Sequence, residues 1–178
     1  MAVQARQLPP TVRAITPSPL LQAAEAVPDE PIKSIPGALV GKYTLIGFAK
    51  KAIKDETGAH AAFLKAKELL EPQLKEHPSD APMHAQLGMI LACLGDKEAA
   101  LKEAQRASEL LPESKDAFDG PKITEAVAGI HAIVGDNDRA IEMLDGLLSR
   151  PSQVTVAALK INPQWDCLRN DPRFQAML

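Results

Sequence analysis

Apolar residues recur every three or four positions along most of the chain after residue 38, which is the spacing of one face of an α-helix. One clear series is Ile123, Val127, Ile130 and Val134. No segment in this part of the chain alternates apolar and polar residues at every second position, as a half-buried β-strand does. The pattern predicts an all-α protein.

A helix pair is predicted between Pro78 and Pro112, two prolines that lie 34 residues apart. The dipeptide Gly95-Asp96 divides the segment DAPMHAQLGMILACLGDKEAALKEAQRASELL into two helices. Glycine readily adopts the left-handed conformation that ends a helix, and an Asp side chain can accept the free N–H groups of the next helix. The first helix is therefore expected to end at Gly95 and the second to start after Asp96.

Small residues are placed where these two helices must approach each other. Gly88, which follows Leu87, and Ala100 remove side chains from the facing surfaces. Together with the 34-residue period, this pattern resembles the tetratricopeptide repeat. The chain departs from that family at His84, where a large aromatic residue is usual, which suggests a slim repeat. The resemblance implies a short α-solenoid.

A second copy of the helix pair is indicated by Gly135-Asp136, which repeats the earlier Gly-Asp turn 40 residues later. The offset equals one 34-residue period plus six inserted residues. On this register Ala140 lies on the second helix, and the first helix is expected to begin near Pro121. The inserted residues, which include Phe118, are expected to form an irregular, partly packed loop.

A weaker copy precedes these two. One helix is expected within residues 39–57, and a second carries Ala66 and Leu70. Pro72 lies inside the second helix and is expected to kink it or end it early, because proline lacks an N–H group. The sequence thus predicts about three helix pairs over residues 39–151.

Residues 152–178 are predicted to cap the last helix pair. Asn162-Pro163 and Asp171-Pro172 lie nine residues apart, and each combines a capping side chain with a proline at the first helical position. Two short helices are therefore expected. Their apolar residues would cover the exposed end of the repeats: Trp165, Leu168, Phe174 and Leu178.

Residues 1–38 form a Pro-rich arm in the sequence. Seven of the 15 prolines lie before residue 37, and all six aromatic residues lie at or after Tyr43. The arm is expected to be largely extended, with one short helix possible within residues 18–27. It could lie along its own repeats or, as we expect, across a partner protein. The apolar anchors would then be Leu8, Val12, Ile15, Leu20 and Leu21.

A more specific resemblance covers residues 60–178. The segments SKDAFDGP and PQWDCLRNDPRF are similar to the repeat region that closes many bacterial multidomain proteins, after a serine/threonine kinase, an adenylate cyclase or a TolB-like domain. The resemblance implies a regulatory or protein-binding appendage. In this sequence no catalytic domain precedes the repeats, and the Pro-rich arm stands there instead.

Composition excludes several classes of protein. The 178 residues carry a formal net charge of −3, without the basic patch or aromatic interleaving that nucleic-acid binding requires. Cys93 and Cys167 lie 74 residues apart, which fits reduced thiols better than a disulfide framework. There is no recognisable secretory signal or membrane-spanning segment, so a cytoplasmic location is expected.

No catalytic, cofactor-binding or metal-binding motif is present in the sequence, so we expect neither an enzyme nor a cofactor protein. His84 and His131 fall on the first helices of adjacent repeats, where packed or solvent-facing rings are far more common than metal ligands. Asp136 is expected to cap a helix rather than to bind calcium.

The inner surface of the repeats is the other candidate binding site. Its expected residues are Pro82, Ala85, Met89, Ala92 and Cys93 on one helix, and Lys122, Glu125, Gly129, Ala132 and Ile133 on the next. They lack a cationic clamp for a C-terminal carboxylate and suit an apolar helix or extended segment. Core packing against a neighbouring helix explains the same residues and is the favoured interpretation.

Two functions are consistent with this sequence. The first is a non-enzymatic accessory or adaptor subunit that docks onto a larger bacterial assembly, which could itself be soluble or membrane-associated. The alternative is a regulatory repeat protein that acts on a separate kinase or cyclase-type enzyme.

Overall fold

The computed structural model describes residues 17–29 and 38–178, and every regular element in these ranges is helical. This confirms the all-α prediction. The elements are α1 (Pro17–Ala26), α2 (Ala38–Ala52), α3 (Glu56–Glu76), α4 (Ala81–Leu94), α5 (Lys97–Leu110), α6 (Gly120–Ile133), α7 (Asn137–Leu148), α8 (Val156–Ile161), a 3-10 helix (Pro163–Leu168) and α9 (Pro172–Met177).

Six of these helices form three consecutive pairs, α2 with α3, α4 with α5, and α6 with α7. Each pair also packs on the next, because α3 contacts α4, and both α4 and α5 contact α6. The apolar face of each helix is thereby buried against two or more neighbours. The main core extends from α2 to α6 and contains Phe63, Leu70, Ile90 and Ile130, while the buried residues of α7 belong to a second cluster with the C-terminal segment.

The two Gly-Asp turns have the predicted backbone but differ in their caps. Gly95 and Gly135 have φ angles of 87° and 84°, the left-handed region that glycine occupies without strain. Asp96 accepts a hydrogen bond from the Ala99 N–H at 3.1 Å, as expected. The Asp136 carboxylate makes no such bond and lies 2.9 Å from Nδ1 of His131. The capping prediction for Asp136 was therefore wrong, since the imidazole competes for the same carboxylate.

The close approach of α4 and α5 depends on their small residues. A Cβ atom at Gly88 would lie 3.1 Å from the backbone oxygen of Ala100 and 2.8 Å from Cδ1 of Ile130. Ala100 is fully buried, as is Ala140 in the next pair, and Leu87 is 6% exposed. Pro78 and Pro112 each lie two residues beyond the end of a helix, where no intrahelical N–H group is needed.

The helix that contains Pro72 does not end early. Helix α3 continues to Glu76, four residues beyond the proline. Leu70, before the proline, is 1% exposed, and the partly buried Leu74, after it, also packs on the core, so packing holds the helix in place on both sides of Pro72. The side-chain amide of Gln73 also donates to the Leu69 carbonyl at 2.8 Å. These contacts offset the hydrogen bond that Pro72 cannot make.

Part of the N-terminal arm packs on the repeats of its own chain. Residues 17–26 form helix α1, and Leu21 and Ala24 are buried against α2 and α3. The expectation that Leu21 reaches across a partner is therefore wrong, because its side chain joins the core of its own chain. Leu8, Val12 and Ile15 lie outside the described residues, as does the Leu20 side chain.

A polar contact fixes the segment after α1. Asp29 accepts hydrogen bonds from Lys42 Nζ at 2.6 Å and from the Tyr43 hydroxyl at 2.7 Å. Lys42 also donates to the Val27 carbonyl at 2.6 Å. The lysine hydrogen bond is the largest influence that lowers the pKa of Asp29, so this carboxylate is ionised at neutral pH. The contact ties the residues that follow α1 to α2.

The C-terminal segment forms the two predicted short helices. Asn162 accepts a hydrogen bond from the Gln164 N–H at 3.0 Å, and Asp171 accepts one from the Arg173 N–H at 2.9 Å. The side chains that they position are buried against α6 and α7: Trp165, Leu168 and Phe174. Leu178 is half-buried beside them.

Across residues 17–29 and 38–178, none of the helices combines the length and the apolar character that a membrane crossing requires.

Candidate interaction surface

An apolar groove of about 460 Å³ lies between α4 and α6. The two helices are the first members of adjacent pairs, and their N-terminal halves form its walls. We call this depression the α4–α6 groove. Its lining residues are Pro82, Ala85, Gln86, Met89, Leu111, Asp119, Lys122, Ile123 and Ala126. Small side chains keep the space between the helices open, so the groove can accept a side chain from another molecule.

The chain's own C-terminal segment covers α6 at Gly129, beyond the groove. A side chain at Gly129 would collide with the amide of Gln164 from the 3-10 helix and with the methyl group of Met89. Gly129 and Ala132 are consequently buried. Only the half of α6 that precedes Gly129 contributes to the open groove.

The structure brings together four of the residues expected on the inner face, namely Pro82, Ala85, Met89 and Lys122. Ala85 and Ala92 are only 4% and 7% exposed. Core packing explains most of their surface, which is the interpretation that the sequence favoured. Met89 is half-buried and has the flexible thioether that can adapt to a bound apolar group.

Phe118 lies on the rim of the groove, next to Asp119. The inserted loop is irregular and partly buried, as expected, but the Phe118 side chain within it is 71% exposed. The ring instead lies below the Lys122 ammonium group, with 4.2 Å between the nitrogen and the ring centroid. No periodic pattern covers this position, since Phe118 belongs to the six inserted residues.

Local hydrogen bonds hold the backbone of the inserted loop in place. The Asp116 carboxylate accepts from the N–H groups of Phe118 and Asp119, both at 2.8 Å. These backbone bonds are the main reason that the pKa of Asp116 is lowered. The Asp116 N–H in turn donates to the Pro112 carbonyl at 3.2 Å. Phe118 is thus presented to solvent by an ordered loop.

The charges of the groove neutralise each other. Lys122 Nζ lies 2.6 Å from Asp119 Oδ1 at the rim. These are the two charged residues that line the groove, and the remainder of the lining is apolar apart from Gln86. Such a surface favours an apolar ligand over a strongly charged one.

His84 and the two cysteines have surroundings that fit structural roles: His84 is hydrogen-bonded within the fold, and both thiols are protonated. His84 is 9% exposed, with Nδ1 at 2.5 Å from Glu103 Oε2 and Nε2 at 3.1 Å from the Pro78 carbonyl. Burial raises the pKa of the Cys93 thiol to about 11 and also raises that of Cys167, so both are protonated at neutral pH. Within the described part of the chain, no three His, Cys, Asp or Glu residues are grouped as a metal site would require.

Glu125 follows Lys122 by one helical turn and provides a test of the electrostatics of α6. Burial raises the pKa of its carboxyl group, so its ionised form is disfavoured in the folded protein. Replacement by an uncharged isostere removes this cost. We expect Glu125→Gln to raise the melting temperature modestly at pH 7 to 8.

The expected gain depends on pH in a defined direction. The wild-type protein becomes more stable relative to the variant as the pH falls through the raised pKa of Glu125, because the protonated carboxyl no longer carries the burial cost. Thermal melts of both proteins between acidic and neutral pH test this. Glu68→Gln on the exposed face of α3 is the control. A constant difference across the pH range would contradict the prediction.

No family profile, no curated protein and no solved structure matches this chain. The tetratricopeptide resemblance and the resemblance to bacterial kinase-associated and cyclase-associated repeats therefore remain predictions from the residues themselves.

Proposed function

We propose that this protein is a non-enzymatic interaction module, built as a short tetratricopeptide-like α-solenoid. Three features support the repeat assignment. The helix pairs follow one another in contact, the Gly-Asp turns end the first helix of two pairs, and Gly88 and Ala100 lie at a close helix crossing. Repeats of this kind expose a concave surface that commonly binds other proteins.

The α4–α6 groove is the proposed docking site, and its apolar, charge-neutral lining is the observation that carries the proposal. The partner would insert an apolar segment between Met89 and Ala126. Helical and extended segments both satisfy this requirement. The exposed ring of Phe118 would add contact area at the rim, where aromatic residues often contribute much of the binding free energy.

In this proposal the protein serves as an accessory or adaptor subunit of a larger bacterial assembly. The capped first and last helix pairs support this role, since α1 covers one end and the 3-10 helix with α9 covers the other. Capped ends prevent the repeats from stacking into longer arrays and leave the α4–α6 groove as the open part of the inner face.

The test is purification of the tagged protein from its source cells beside a variant with a blocked groove. Ala126→Arg places a long charged side chain in the groove, and we expect it to abolish recovery of the partner while the variant stays folded. Ala61→Arg, on the exposed face of α3, is the matched control and should retain the partner.

The identity of the recovered partner distinguishes the two functions. A stoichiometric complex of structural subunits, recovered by the wild type and by Ala61→Arg, supports the adaptor role. A kinase or cyclase as the sole partner would replace it with a regulatory role. Equal recovery of a partner by the Ala126→Arg variant would show that the groove is not the docking site.

A further inference from the structure

We propose that the α4–α6 groove and Phe118 also form a self-complementary surface through which two copies of this chain associate. Phe118 of each copy would insert into the groove of the other. This inference rests on the proposed interaction surface but not on the identity of any partner. The dimer would keep the apolar surface covered when no partner is bound.

The first argument is that an apolar projection and an apolar depression lie side by side. Phe118 is 71% exposed, and Asp119, the next residue, lines the groove. The ring cannot fill the groove of its own chain, because the hydrogen bonds that Phe118 and Asp119 donate to the Asp116 carboxylate fix the loop with the ring on the rim. A second copy offers the same groove without this restriction.

The second argument is symmetry. A two-fold axis brings the same surface patch of both copies together. A patch that contains both a projection and a matching depression then forms the same contact twice. The charges on the rim are compatible with such a contact. Lys122 and Asp119 pair at 2.6 Å within each chain, so two copies of this patch meet without an unpaired like charge on either side.

The third argument concerns the cost of leaving Phe118 exposed. The loop that carries Phe118 is held by hydrogen bonds and its ring lies against Lys122, so burial of the ring costs little additional conformational entropy. Aromatic residues, including Phe, are enriched in protein interfaces. The small lining residues Ala85 and Ala126 leave room for a ring.

The experiment measures self-association of the purified full-length chain by sedimentation equilibrium over a wide concentration range. We expect the wild type to show a monomer–dimer equilibrium. Phe118→Ser should weaken the dimer by at least about thirtyfold, because each dimer loses two buried rings. Ile161→Ser is the matched control, since Ile161 is 80% exposed outside the proposed interface, and it should dimerise as the wild type does.

A mixing experiment separates the two halves of the surface. Ala126→Arg blocks the groove but keeps Phe118, whereas Phe118→Ser keeps the groove. Neither variant should form a dimer alone, but a mixture should form heterodimers through one intact contact. A wild type that stays monomeric at hundreds of micromolar would overturn the proposal. Loss of the dimer in Ile161→Ser, or a mixture without heterodimers, would overturn it as well. None of these results bears on whether a partner binds the groove, which the purification experiment decides separately.

Discussion

Replacement of Trp165 by alanine is expected to destabilise the C-terminal part of the protein by about 3 to 5 kcal/mol, the usual cost of truncating a buried tryptophan. Trp165 is 1% exposed and lies in one core cluster with Leu144, Leu168 and Phe174. The short helices around it are too brief to be stable alone, so this cluster must hold them on α6 and α7. Truncation would leave a cavity at the centre of the cap.

The loss should be concentrated at one end of the molecule. Neighbouring helix pairs stabilise one another mainly through their direct contacts, so damage to the cap affects α6 and α7 before the first two pairs. Chemical denaturation followed by circular dichroism gives the total loss, and amide hydrogen exchange locates it. Ile161→Ala, at an 80% exposed site four residues away, should change stability by less than about 0.5 kcal/mol. An unchanged melting temperature for Trp165→Ala would show that the indole does not support the fold.

The elements that depend only on residues close in the chain could be predicted from the sequence. Asn162 and Asp171 start short helices because a capping side chain acts on N–H groups two residues away. Gly95 and Gly135 mark turns because few other residues adopt their positive φ angles. Such features need no knowledge of the tertiary structure.

Two local predictions were overridden by contacts elsewhere in the fold: the side-chain cap at Asp136 and the early end of α3 at Pro72. Asp136 stands at a capping position, yet its carboxylate contacts His131 five residues earlier instead of the backbone. Pro72 is a helix breaker by propensity, yet Leu70 before it and Leu74 after it pack on the core, and α3 continues to Glu76. In both cases a tertiary or side-chain contact outweighed a local preference of about 1 to 3 kcal/mol.

The binding surface could be predicted only in part for a related reason. The helical register identified Met89 and Lys122 as inward-facing, and both line the groove. It could not show that Gln164 would cover Gly129, because that contact joins residues far apart in the chain. It also missed Phe118, which lies outside the repeat and has no periodic neighbours. Exposure of an aromatic residue is a property of the folded loop, which Asp116 determines.

Substitution of Gly88 by valine is expected to cost about 2 to 3 kcal/mol, in the upper range for overpacking a core. An added Cβ already meets the Ala100 backbone oxygen at 3.1 Å and Ile130 Cδ1 at 2.8 Å. The isoleucine methyl can move, but the backbone oxygen belongs to α5 and moves only with its helix. The two γ-methyl groups of valine would therefore push α5 or α6 away from α4.

A graded series tests whether close helix packing is the cause. Gly41 lies on the exposed surface of α2 with no atom within 4 Å of an added Cβ, so Gly41→Ala should raise stability by about 0.5 to 1 kcal/mol through helix propensity alone. Gly88→Ala should lose that gain to the contact with Ala100, and Gly88→Val should unfold at clearly lower denaturant. If Gly88→Ala stabilises as much as Gly41→Ala, the helices have room to separate. The requirement for a small residue at this crossing, which supports the repeat assignment, would then fail.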